Sequence, residues 1–261
     1  MTARTATSPT NQSKAEYASS GWTSLYKLGG TSALLLVVIV IIQLIVFTIA
    51  PPPLDGTAID WFILFQKNPL IGLIDFEFLM IIYVILCIPM ALALYTLLRQ
   101  FNPSWTAIYL VLSLLGVMCF IAARPVFEML YLSNGYAAAE TEAQRAMFLA
   151  AGEAKVATFH GTGFYINYFL SSLTGLIISL VMLKTNIFSK ATAYVRIASS
   201  ICDFGLFVPT IGMFIAIFSM LFLVIWNIMI ARRLFQLGKG PAAETVNRID
   251  VGLLEAPAQL N

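Results

Sequence analysis

Charge is what this sequence has least of. Its 261 residues include only 15 Lys and Arg and 13 Asp and Glu, 11% in all, where an ordinary soluble domain carries about a quarter. Such a chain cannot have water as its main solvent. The net charge of +2 and the lack of any Lys/Arg run interleaved with aromatics exclude a nucleic-acid partner. Histidine occurs once, which excludes bis-histidine haem ligation and any multi-histidine metal centre that Met or carboxylates do not complete. The three cysteines, Cys87, Cys119 and Cys202, stand far apart inside apolar stretches, so they form no CxxC or other metal-ligand spacing and read as small core residues. Gly161-Thr162-Gly163 has no preceding strand and is no nucleotide loop. No local signature marks a Ser–His–Asp arrangement, and there is no clear internal repeat of the kind found in many transporters. No cofactor is implied, and no metal is specified.

What the sequence does have is apolar length: 59% of its residues are hydrophobic and the mean hydropathy is +0.86. A membrane-crossing helix needs about 20 apolar residues. Ser32 to Ala50 qualifies and is stopped by Pro51-Pro52-Pro53, since proline has no N–H to continue a helix. It is longer than a signal-peptide core and follows a polar stretch, so it reads as a retained anchor. Leu70 to Leu98 forms a second span, opened by Asn68-Pro69 and closed by Arg99 and Asn102-Pro103-Ser104. Trp105 to Leu132 forms a third and Phe159 to Leu183 a fourth. Ala191 to Ala231 is too long for one span and accommodates a fifth and sixth that meet near Pro209 and Gly212. Pro89, Pro125 and Pro209 suggest kinks that open an internal cavity. The Ser171, Gly175, Ser179 strip suggests close helix packing, and the methionines read as packing residues.

The fold class is therefore an all-α integral membrane protein: six transmembrane helices plus a short extracellular amphipathic helix. That last helix is announced by Thr141 and Gln144, a capping-box pair, and runs to about Ala157 with Ala143, Met147, Ala151 and Ala154 on one face. Residues 1–30 are a partly disordered cytoplasmic tail, 31–234 the transmembrane domain and 235–261 a second cytoplasmic tail. Lys and Arg set the direction. Arg4, Lys14, Lys27, Arg99, Lys184, Lys190, Arg232, Arg233, Lys239 and Arg248 fall on one side. Lys67, Arg145 and Lys155 fall on the other, with Asp55, Asp60, Glu140, Glu142 and Glu153. The expectation is a cell-membrane protein with both termini cytoplasmic.

Ionisable side chains inside a span face a protein interior or wet cavity, because lipid exposure costs roughly 2.5–3.5 kcal/mol on insertion scales. Here they cluster towards the outer side: Asp75 and Glu77 on the second span, Arg124 and Glu128 on the third, His160 and Tyr165 at the start of the fourth, and Asp203 in the fifth. Only Arg196 belongs to the cytoplasmic half. Arg124 and Glu128 are spaced to pair on one helix. Asp75 and Glu77 point about 200° apart on a continuous helix, and Asp75, followed by Leu79, Ile82 and Tyr83, is the one expected to face inward and meet Arg124. The candidate ligand- or proton-binding residues are Asp75, Arg124, Glu128, His160, Tyr165 and Asp203. Against them stands the plain alternative that the cluster is structural.

The stretches NPLIGLIDFEFLM, YAAAETEAQRAMFLAAGEA, FHGTGFYINYFLSSLTGLIISLVMLK, FSKATAYVRI and WNIMIARRLFQLG resemble an uncharacterised family of bacterial multi-pass proteins known only as domain of unknown function 4386. The likeness runs from about Asn68 to Gly238. It implies a bacterial membrane protein with a single membrane domain and brings no activity with it. The family often has Asn before the His-Gly pair; Phe159 stands there in this chain, which takes weight from a fixed polar motif at His160. Three function classes stay open. The first is a polar, charged cavity open to the non-cytoplasmic side that binds or passes a proton, cation or small polar solute. The second is a non-catalytic sensor or accessory subunit with a membrane-protein partner. The third is an intramembrane enzyme using a carboxylate and His160. The lipid bilayer is a partner in all three.

Overall fold

The three prolines that follow Ala50 end α1, which runs Thr23–Ile49 and starts earlier than the apolar run alone suggests. At 1.5 Å per residue it is about 40 Å long. The computed structural model describes residues 22–208 and 212–239, and every regular element among them is helical. The expected turn at Pro209 and most of both tails lie outside the described residues. After α1 come α2 (Ala58–Lys67), α3 (Pro69–Asp75), α4 (Phe78–Leu98), α5 (Pro103–Ala122), α6 (Val126–Ala138), α7 (Glu142–Phe159), α8 (Thr162–Leu183), α9 (Lys190–Phe204) with a 3-10 turn at Gly205–Phe207, and α10 (Gly212–Gly238).

Six of these form a closed ring. α1 packs on α4, α4 on α5, α5 on α8, α8 on α9, α9 on α10, and α10 returns to α1. Close approach is built in at Gly29, where a Cβ would stand 2.8 Å from the Ala93 Cβ. At one end of the ring Ala33, Leu36, Leu94, Leu98, Met182, Ile230 and Leu234 pack into a solid apolar core. The same end carries Arg99 over the Trp22 ring at 5.5 Å and Arg233, whose Nε donates to the Ile187 carbonyl at 2.6 Å. Gly238 closes against Thr23 and Lys27: a Cβ there would lie 3.0 Å from Lys27 Cγ. The first and last described helix ends therefore sit side by side.

The other four helices, α2, α3, α6 and α7, form a cap. Two expected spans turn out to be interrupted. The stretch Leu70–Leu98 breaks at Phe76-Glu77, where Glu77 takes a left-handed backbone with φ 66°, a conformation that costs a non-glycine residue about 1–3 kcal/mol. The third span breaks completely at Ala123-Arg124-Pro125 rather than kinking, because Pro125 removes a donor and crowds the preceding turn. The apolar sequence beyond each break folds into the cap, around Trp61, Phe62, Phe65, Phe76, Val126, Met129 and Phe159. The Thr141 capping box forms as expected, Gln144 N–H donating to Thr141 Oγ at 3.2 Å and Thr141 N–H to Gln144 Oε1 at 3.3 Å. The helix it opens packs on α2 and α6 within the cap. Glu153 on α7 accepts from the Ala58 N–H at 2.9 Å, and a Cβ at Gly152 would strike the Phe62 ring at 2.6 Å, so the cap helices interlock.

Among the described residues five stretches are long and apolar enough to cross a membrane: Thr23–Ile49, Phe78–Leu98, Pro103–Ala138, Glu142–Leu183 and Phe218–Gly238. This is a membrane protein whose apolar helices meet the bilayer.

Candidate functional site

The ring encloses a cavity of about 300 Å³, and all six ring helices contribute to its wall. On α4 the lining runs from Met80 to Ala91, a rise of about 17 Å, so the space is elongated along the ring axis. Its far end meets the packed core formed by Leu94, Leu98, Met182 and Ile230. Apolar side chains dominate the wall, interrupted by Gln43, Tyr83, Tyr109, Asn167, Tyr168 and Asn227. Three charged side chains line it: Glu77, Arg196 and Asp203.

The lining of α9 comes from a polar stripe at helical spacing. Thr192, Arg196, Ser199, Ser200 and Asp203 are all buried, while Tyr194 and Ile201 on other faces are exposed. Arg196 donates from Nη1 to Ser199 Oγ at 3.1 Å and from Nη2 to the Ser171 carbonyl at 3.1 Å. Asp203 lies 4.0 Å from Arg196 Nη1 and accepts a hydrogen bond from the Ser219 hydroxyl. The Trp226 ring centroid is 5.3 Å from the guanidinium. Gly175 makes room for the arginine: a Cβ there would stand 2.7 Å from Arg196 Nε and would collide with Ser200 Oγ. The small-residue strip on α8 therefore seats a buried cation as well as letting two helices approach. Arg196, assigned by sequence to the cytoplasmic half, is the site residue that sequence reasoning missed. The 3/4 spacing of polar residues in KATAYVRIASSICDF is the signal that could have found it.

At the junction of ring and cap sits Arg124, which is 4% exposed. Its Nε donates to Glu77 Oε2 at 2.6 Å, and its Nη1 to the Phe159 carbonyl at 2.9 Å. The guanidinium lies 4.4, 4.3 and 5.0 Å from the ring centroids of Phe120, Phe159 and Phe164. A desolvated cation–π contact of this kind contributes about 2 kcal/mol. Glu77 belongs to the α3–α4 break, Arg124 to the α5–α6 break and Phe159 to the α7–α8 connection, so one side chain pins three of the passages between ring and cap.

Two expected pairings are thereby corrected. The carboxylate on Arg124 is Glu77 rather than Asp75 or Glu128, because the broken backbone frees Glu77 from the helical geometry that set it 200° from its neighbour. Asp75 is fully buried, as an inward-facing residue should be, yet neither carboxyl oxygen has a hydrogen-bond partner. Nearby on α1, Gln43 donates to the Ile74 carbonyl at 3.1 Å and keeps its own Oε1 unpartnered. Glu128 is exposed and lines a shallow groove with Tyr131 and Lys155, outside the central cavity. His160 is exposed beside the Phe159 ring, and Tyr165 is 46% exposed. The structure thus brings Asp203 into the cavity and Arg124 to its capped end, sets His160 against the Phe159 ring that packs on Arg124, and leaves Glu128 and Tyr165 apart from the cavity.

Asp60 shows the chemistry of the cap surface. Hydrogen bonds from the Thr57 N–H at 2.8 Å and hydroxyl at 2.9 Å hold its carboxyl below the usual carboxylate range. Among the described residues no group of three or more His, Cys, Asp or Glu is placed to hold a metal ion.

The family model described as "Domain of unknown function (DUF4386)" matches residues 30–238. No curated protein matches the chain, and no solved structure does.

Proposed function

The chain belongs to the family defined by domain of unknown function DUF4386, and we propose that it crosses the membrane six times and binds a small solute in a one-ended cavity reached from the non-cytoplasmic side. Parity supports six crossings over five. The start of α1 and the end of α10 lie side by side, so the chain between them traverses the ring an even number of times. The additional crossing is α9, whose inward polar stripe hides it from any count based on hydropathy. Lys27, Arg99, Lys184, Lys190, Arg232, Arg233 and Lys239 fall at the packed end against Lys67, Arg145 and Lys155 at the cap, a distribution that supports a cytoplasmic packed end with both tails on that side and the cap outside. On this reading residues 31–234 form one domain.

The observation that carries the binding reading is the cavity itself: every ring helix lines it, and the apolar core lies between it and the cytoplasmic end. Glu77 is met by Arg124 and Asp203 by Ser219 and Arg196, which favours a solute with both polar and apolar surface over a bare proton or cation. Arg124 and Asp203 then hold the cap and the wall, and Asp75 stands behind the wall beside the α3–α4 break. Glu128, His160 and Tyr165 make no contact with the solute on this reading. The closed end equally favours a sensor or accessory subunit over a channel. An intramembrane enzyme built on His160 draws no support from a side chain that lies exposed outside the cavity.

Sidedness is the test. In a chain with Cys87, Cys119 and Cys202 replaced by alanine, Ser113→Cys on the cavity wall should react with a small membrane-impermeant thiosulfonate added from the cap side and not from the packed side. Labelling from the packed side, or from neither, overturns the reading. Binding without flux in proteoliposomes would support the sensor role, and flux would replace it with a carrier.

A further inference from the structure

The cavity also restricts the chemistry of its occupant, an inference that rests on the binding reading above. Its three charged groups are already engaged. Glu77 is held by Arg124 at 2.6 Å. Asp203 has the Ser219 hydroxyl and, at 4.0 Å, Arg196. Arg196 in turn donates to Ser199 and Ser171 and lies against Trp226. An ion entering here would give up its hydration and find no free counter-charge, at an effective penalty of several kcal/mol.

Uncharged polar groups are available instead. Trp226 and Asn227 are adjacent cavity-lining residues on α10, and each keeps one buried polar atom without a partner: the donor Nε1 of Trp226 and the acceptor Oδ1 of Asn227. A hydroxyl is able to satisfy either kind of atom, donating to the amide oxygen or accepting from the indole N–H, whereas a carboxylate can only accept and an ammonium only donate. Apolar side chains make up most of the rest of the wall, with Met80, Met90 and Met220 supplying flexible thioethers that adapt to an irregular chain. Length completes the description, since the lining spans about 17 Å along α4 around only about 300 Å³. We infer that the cavity takes an elongated, uncharged amphiphile, an apolar body ending in a hydroxyl or a comparable group that both donates and accepts.

The test uses the full chain in nanodiscs and three radiolabelled probes of equal chain length at neutral pH: 1-decanol, decanoate and decylammonium. Empty nanodiscs serve as the blank. Two variants fill the cavity, Ser113→Phe and Val84→Phe, and whichever stays monodisperse carries the comparison. The expected result is saturable 1-decanol binding, tighter than that of either ion by about tenfold or more, and lost in the filled variant. Equal or tighter binding of decanoate or decylammonium overturns the uncharged class while leaving the cavity reading intact. No saturable binding of any probe, or binding that survives filling, overturns the cavity reading itself.

Discussion

Two buried arginines divide this molecule. Arg124, between ring and cap, has its carboxylate at 2.6 Å and three aromatic rings around it. Arg196, in the cavity wall, has its carboxylate at 4.0 Å, one ring beside it and otherwise serine oxygens. The first arrangement fixes helix breaks in place, because a desolvated, directly hydrogen-bonded pair tolerates little displacement. The second is a looser set of polar contacts on a wall that has to accept an occupant. The cap region is built as a closure and the ring as a container.

The largest effect should come from removing the closure. Arg124→Ala leaves Glu77 without its partner, and truncating one side of a buried ion pair costs about 3–5 kcal/mol. The expected outcome is loss of monodisperse protein in detergent or a large fall in Tm, with Arg124→Lys recovering only part, since lysine reproduces neither the planar stack nor the simultaneous bonds to Glu77 and Phe159. Equal stability of Arg124→Ala and wild type would break the comparison.

Next in size is the seat of the other arginine. Gly175→Ala forces a methyl group into Arg196 and Ser200, and overpacking of this kind costs about 1–3 kcal/mol. Thermal unfolding should show it, together with weaker solute binding, because Arg196 has to shift. A double-mutant cycle sharpens the contrast: the coupling between Arg124 and Glu77 should exceed that between Arg196 and Asp203 severalfold, and the reverse order would exchange the two roles.

Smaller again is Thr141→Ala, which removes the capping oxygen from α7 and should lower stability by about 1 kcal/mol, read as faster proteolysis within the cap while the ring stays intact. Smallest is Thr57→Val. The hydrogen bonds from Thr57 depress the Asp60 pKa, so their contribution is present above the ordinary aspartate pKa and is lost as pH falls through the depressed folded value. The substitution keeps the backbone N–H bond and removes the hydroxyl's, so it should raise that pKa part of the way towards the usual range in carboxyl-carbon NMR, with a small loss of stability at neutral pH that disappears in acid.

Much of the fold was legible because its determinants are local. Pro51-Pro52-Pro53 ends α1. Asn68-Pro69 and Asn102-Pro103 start α3 and α5, with Asn side chains accepting from Leu70 and Trp105 N–H groups at 3.1 and 3.2 Å. Thr141 and Gln144 start α7. The break at Glu77 was not legible, since neither proline nor glycine stands between Leu73 and Met80 to announce a left-handed residue. Nor was the role of Arg196, whose serine contacts include Ser171, 25 residues away on another helix.

Composition and spacing by themselves determined that this chain folds as apolar helices in a membrane, where most of them begin, and that its ionisable residues had to find partners. Only the tertiary structure decided which partners. Arg124 and Glu77 are 47 residues apart and meet because two helices break at the same level, an energetic trade in which a strained backbone is offset by a paired charge. Hydropathy is a sum along the chain and can be read there. Charge pairing depends on where separate helices are brought together, and no single stretch of sequence contains it.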